Sequence, residues 1–73
     1  MPEKTDAFRV NVLHYMDLQK MSQRDLAIRA GLSPEWLCKM LKGRSNPTLP
    51  VCERIAQALR VSLEALVSTP ATA

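Results

Sequence analysis

Glycine is scarce in this chain, with two among 73 residues, and histidine scarcer still, with His14 alone. Aromatics are limited to Phe8, Tyr15 and Trp36. Two glycines are too few for a phosphate-cradling loop as well as the turns of a folded chain. The two cysteines, Cys38 and Cys52, form no CxxC pair, and one histidine cannot complete a tetrahedral metal site with them. They are expected as free thiols in a reducing compartment, with no metal and no cofactor. No Ser–His–Asp set and no pair of buried carboxylates stands out, so an enzyme is not expected. No apolar run approaches the ~20 residues of a membrane span. The start, Met1-Pro2-Glu3-Lys4-Thr5-Asp6, has no apolar stretch of the kind a signal peptide carries. Runs of alternating β-branched residues are missing too, which removes the usual strand signal. These absences leave a soluble, cytoplasmic, all-α protein.

What is present is helix punctuation at short intervals. Hydrophobic residues make up 47% of the chain, enough to argue against disorder in a single small domain. Thr5 or Asp6 can cap a first helix, with Phe8, Val12 and Met16 as its inward stripe and Tyr15 at the border. That helix is expected to stop near Gln19 or Lys20. Ser22 with Asp25 resembles a capping box, and Met21 with Leu26 a hydrophobic staple. Leu26, Ala27 and Ala30 then face inward until Gly31 ends the second helix. Ser33 caps the third, with Pro34 at its first position, where a missing N–H costs nothing. Leu37, Met40 and Leu41 form its buried face, and Gly43 terminates it.

Arg44-Ser45-Asn46-Pro47 reads as a turn. Thr48 can cap a fourth helix to about Leu59, with Val51, Cys52, Ile55, Ala56 and Leu59 inward. Ser62 caps a short fifth helix that turns Leu63, Leu66 and Val67 toward the core. The reading is thus an N-terminal arm over 1–5, one five-helix domain over 6–68, and a flexible tail over 69–73.

Residues 23–42 carry the informative pattern: a helix, a tight turn at Gly31 and a second capped helix. Helices joined this way cross steeply and need a small residue at the contact, which Ala27 supplies. The second helix is pinned by Leu37 and Met40. It leaves Ser33, Pro34, Glu35, Cys38, Lys39 and Lys42 outward. Ten basic against seven acidic residues give a formal charge of +3, a mild bias toward a polyanionic partner.

Met21-Ser22-Gln23-Arg24-Asp25-Leu26-Ala27, Ala30-Gly31-Leu32-Ser33 and Leu37 through Lys42-Gly43 together resemble the lambda-repressor and Cro-like helix-turn-helix family, the XRE type. Ile55-Ala56-Gln57-Ala58-Leu59-Arg60-Val61 and Leu66 are similar to that family's later helices. The resemblance implies a compact five-helix DNA-binding domain that regulates transcription, most simply as a repressor of phage, mobile-element or bacterial genes. It puts the second motif helix in the major groove of double-stranded DNA. Pro34, Glu35 and Lys39 then hold the base-reading positions. Gln23, Arg24, Ser33, Lys42, Arg44, Ser45 and Asn46 hold backbone positions. Relatives pair through the fifth helix, which implies a weak homodimer through Leu63 and Val67 on a palindromic operator.

Two departures matter. Proline at 34 has no group to hydrogen-bond a base edge, so it offers only shape or a methyl contact. The buried Arg–Glu pair of many members is replaced by Met16 and Leu41, a coherent exchange because both charges go together. Several residues keep two readings. Lys39 can donate to guanine or be a solvated lysine; Glu35 can accept from cytosine or serve the positive end of its helix. Trp36 can press on DNA or cover the core edge. His14 reads as a surface residue. The rival to a DNA-binding regulator is a protein-interaction module, an antitoxin or adaptor. Lys39, Lys42 and Arg44 outnumbering Glu35 favours DNA.

Overall fold

The computed structural model describes residues 4–68, and every regular element among them is a helix. In chain order these are α1 (Lys4–Leu18), α2 (Gln23–Ala30), α3 (Pro34–Leu41), α4 (Leu49–Leu59) and α5 (Leu63–Val67). The helix count and the boundaries of α2 to α5 match the punctuation read from the sequence. α1 differs: it begins at Lys4, so Thr5 and Asp6 lie inside it and neither is its cap. The helix also takes up the last two residues of the expected arm. Met1 to Glu3 and the tail from Thr69 to Ala73 lie outside the described residues.

The starts of α2, α3 and α5 are fixed by serine. Ser22 Oγ accepts from the Asp25 N–H at 3.0 Å, and Asp25 Oδ2 accepts from the Ser22 N–H at 3.4 Å, closing the capping box. Ser33 Oγ accepts from the Trp36 N–H at 3.2 Å, and Ser62 Oγ from the Ala65 N–H at 3.1 Å. Each bond satisfies one N–H that the first helical turn leaves without a partner. Thr48 stands at the cap of α4 but makes no such side-chain bond; Leu49 and Pro50 open that helix.

The ends of α1 to α4 share one device. After α2 the Leu32 N–H reaches back to the Ala27 carbonyl at 2.8 Å; after α3 the Arg44 N–H reaches Lys39 at 2.9 Å. After α1 the Met21 N–H reaches Met16 at 2.8 Å, and after α4 the Val61 N–H reaches Ala56 at 3.0 Å. This is the Schellman arrangement, which needs one left-handed residue. Gly31 (φ 69°) and Gly43 (φ 81°) supply it for α2 and α3. Lys20 (φ 52°) and Arg60 (φ 58°) supply it for α1 and α4, although each carries a Cβ. Glycine alone would have revealed only half of these stops.

Phe8, Val12 and Met16 of α1 meet Leu26, Ala27 and Ala30 of α2, Leu37 and Met40 of α3, Ile55, Ala56 and Leu59 of α4, and Leu66 of α5 in one core. Leu41, Val51 and Cys52, expected inside, are only half-buried at its edge. Leu63 is half-buried and Val67 exposed, because five residues of α5 present little more than one inward position, taken by Leu66. α1 packs along α5, and α2 is held between α3 and α4.

Two amides, Asn11 of α1 and Gln19 just after it, tie down the C-terminal half. Asn11, buried, donates from Nδ2 to the Leu66 carbonyl at 2.7 Å and the Ser68 carbonyl at 2.8 Å. Gln19 donates from Nε2 to the Leu59 carbonyl at 2.6 Å. These carbonyls belong to helix ends, where no intrahelical N–H reaches them.

Candidate nucleic-acid interface

The site is built on α3. Leu37 and Met40 are fully buried, which fixes the roll of the helix. At about 100° per residue the opposite arc then runs through Pro34, Cys38, Lys42, Glu35 and Lys39. Pro34, Glu35, Lys39 and Lys42 are exposed, and Cys38 is half-buried among them. Trp36 lies at the rim of the arc, half-buried and packed against the core cluster, with its N–H engaged by the Ser33 cap.

The other sequence-selected residues lie on the elements next to α3 in the chain. Gln23 and Arg24 open α2 and are exposed. Ser33 is exposed as well; its oxygen holds the cap while its hydroxyl proton is left to donate. Arg44 and Asn46 are exposed and Ser45 half-buried in the turn that follows α3. Leu63 and Val67 stand apart on α5, outside this group.

Sequence reading missed one basic residue at the rim. Arg9 of α1 brings its guanidinium to the end of α3, where a Cβ on Gly43 would lie 3.4 Å from Nη2. No local pattern could reveal this, because the two residues are far apart in sequence and meet only when α1 folds over α3.

Charge is distributed unevenly. Residues 23–46 contain five basic side chains (Arg24, Arg29, Lys39, Lys42, Arg44) and two acidic ones (Asp25, Glu35). The chain on either side balances, with three of each sign over 1–22 and two of each over 47–73. The whole formal excess of +3 therefore sits on the helix pair and its following turn. Two helix N-termini add partial positive charge to the same segment.

Among the described residues no cluster of His, Cys, Asp or Glu could hold a metal ion, and no helix is long and apolar enough to cross a membrane.

A packed pair of short helices joined by a tight turn, with a cation-bearing outward face and on a five-helix body, defines a helix-turn-helix DNA-binding domain of the XRE/Cro type. The chain belongs to the Helix-turn-helix family, whose sequence profile matches residues 14–66. It is thereby a DNA-binding transcription factor and not an enzyme. Its fold is similar to the crystal structure of the hypothetical transcription factor NHTF from Neisseria, at a TM-score of 0.85 and 26% identity. The superposition covers 96% of this chain and 84% of that one. No curated protein gives a significant match.

Proposed function

We propose that this chain is a sequence-specific repressor that binds a palindromic operator as a weak dimer, in the cytoplasm where the chromosome lies. The observation that carries the reading is the confinement of all excess positive charge to residues 23–46, around the exposed arc of α3. Phosphate attraction draws that face to DNA, and base edges are read by what α3 inserts. Lys39 donates to guanine O6 and N7, Glu35 accepts from cytosine N4, and Pro34 packs by shape. Gln23, Arg24, Ser33, Lys42, Arg44, Ser45 and Asn46 hold the phosphates on either side. Trp36, packed on the core edge, braces the start of α3 and reaches DNA with its rim alone. One such helix reads only a few base pairs, so two copies are needed to mark a site, and Leu63 and Val67 of α5 contribute to their contact. NHTF is described as a hypothetical transcription factor, which agrees with a regulatory role. Repression needs no more than occupancy of the operator.

The test is a gel shift on a pool of genomic fragments at two salt concentrations. A subset of fragments should be retained selectively. With Arg24, Lys42 and Arg44 on phosphates, affinity should fall roughly 40-fold per monomer between 50 and 200 mM salt. Equal retention of every fragment overturns sequence specificity, and no retention at low salt overturns DNA binding itself.

A further inference from the structure

Arg9 belongs to a stretch, residues 1–22, whose charges balance, yet the fold carries its guanidinium to the end of α3. A Cβ on Gly43 would lie 3.4 Å from its Nη2, 3.6 Å from Nε and 3.7 Å from Cζ, so the guanidinium covers the bare side of that glycine. Arg9 is half-buried, at the edge of the α1 stripe formed by Phe8, Val12 and Met16. The chain around Gly43 is already cationic. Residues 36–46 hold Lys39, Lys42 and Arg44 and no acidic residue. A fourth cation is brought there against like charge. The end of α3 does not need it as a cap. The carbonyls of Cys38, Lys39 and Met40 already accept from the N–H groups of Lys42, Arg44 and Gly43, at 3.1, 2.9 and 3.0 Å. The side of Gly43 that faces the guanidinium is its α-carbon, which offers no acceptor.

We propose that Arg9 is a further phosphate contact of the DNA interface, supplied by α1 at the end of α3. The inference rests on the DNA reading above and adds α1 to the contact surface. An anion over the end of α3 turns the crowding of like charge into attraction. A phosphate of the DNA backbone offers two oxygens to the arginine fork, a match that an ammonium cannot make. Five N–H donors let the guanidinium serve that phosphate while it keeps a contact within the chain. Because the side chain is half-buried, it loses less freedom on binding than an exposed cation such as Lys42. The contact positions the protein and carries no sequence information. Arg24, Lys42 and Arg44 together account for a roughly 40-fold fall in affinity per monomer between 50 and 200 mM salt; a fourth contact at Arg9 raises it to roughly 150-fold.

The test titrates a short DNA duplex of arbitrary sequence with the full chain over a series of salt concentrations, for the unaltered chain, Arg9→Gln, Arg9→Lys and Arg44→Ala. Arg9→Gln should lower the slope of log K against log salt by about 0.9, as Arg44→Ala does, with its thermal transition kept. The fall in affinity between 50 and 200 mM salt should then be roughly 3.5-fold smaller than in the unaltered chain. Arg9→Lys keeps the charge and should restore the slope. A folded Arg9→Gln with an unchanged slope, beside an Arg44→Ala that lowers it, overturns the contact. Arg9 is then a brace for the end of α3, and the DNA reading stands. If Arg9→Gln loses its thermal transition, the Arg9 Nε–H signal in the NMR spectrum of the unaltered chain is read instead. A shift on adding the duplex that high salt reverses supports the contact, and an unmoved signal overturns it. An unaltered chain that binds no duplex at low salt overturns both readings.

Discussion

Asn11 shows how much one polar side chain does in a core this small. Its amide serves the carbonyls of Leu66 and Ser68, which close the C-terminal end of α5 against α1. Asn11→Ala removes the donor and leaves the carbonyl of the buried Leu66 without it, so the expected cost is about 1–3 kcal/mol in urea unfolding. Asn11→Leu should do no better, since added apolar surface does not supply an N–H. The opposite change is expected at Lys20 and Arg60, which hold left-handed backbone against their own Cβ atoms. Lys20→Gly or Arg60→Gly should each stabilise the fold, by about 1 kcal/mol, read as a raised melting temperature. Cys52 adds a pH term. Burial raises its thiol above the ordinary value and the neighbouring Glu53 adds to that, against a backbone hydrogen bond that lowers it. The folded state therefore holds the thiol proton more tightly than the unfolded chain does. The stability this contributes is full below the ordinary thiol range and is lost as pH rises through the shifted one. Cys52→Ser should flatten the alkaline limb of a stability–pH profile, and an unaltered limb would remove the thiol as its cause.

At the scale of the helix, α3 divides its work between roll and reach. Leu37 and Met40 set the roll, Ser33 sets the first turn, and what remains outward is the arc proposed to meet DNA. Lys39→Ala should relax preference at one base pair per half-site, at a cost of about 1–3 kcal/mol on the preferred sequence. Arg44→Ala should weaken binding to all sequences alike and lower the slope of log K against log salt by about 0.9. A binding-site selection with each variant separates the two roles: an unchanged consensus for Lys39→Ala removes it from base reading, and a changed one for Arg44→Ala removes it from the phosphates. The same element shows why so much was legible beforehand. Ser33, Pro34, Leu37, Met40 and Gly43 each act within one or two turns of themselves, so their spacing alone defines the helix, its buried side and hence its outward arc. Other features act at long range and leave no local mark. The Asn11 and Gln19 bonds join α1 to helix ends 40 or more residues away. The approach of Arg9 to Gly43 depends on how α1 crosses α3. Lys20 and Arg60 look like ordinary surface cations, because nothing in a basic side chain announces a left-handed backbone. The early start of α1 escaped for a related reason: Thr5 and Asp6 are good capping residues, but capping residues can also be carried inside a helix that begins before them.

Taken whole, the molecule is 30 × 24 × 19 Å along its principal axes, and that size constrains how two copies can cooperate on DNA. Half-sites read from one side of the duplex are about 34 Å, or 10–10.5 base pairs, apart. Copies with a 24–30 Å body, extended by side chains, just meet across that distance. Direct contact on DNA is therefore possible at one spacing and not at its neighbours. Inserting about 5 base pairs between the half-sites turns one copy to the opposite side of the duplex. Inserting about 10 restores the side but moves the centres to about 68 Å, more than twice the longest dimension of the chain. Both insertions should abolish cooperativity while leaving each half-site's own affinity as it was, measured by footprint titration. The two insertions together separate direct contact from coupling through the DNA. Coupling by bending would depend on the face and persist, weakened, at the longer spacing, whereas protein contact is lost there entirely. Cooperativity that survives the 10-base-pair insertion would mean that the copies do not touch, and the proposed contact through Leu63 and Val67 would fall.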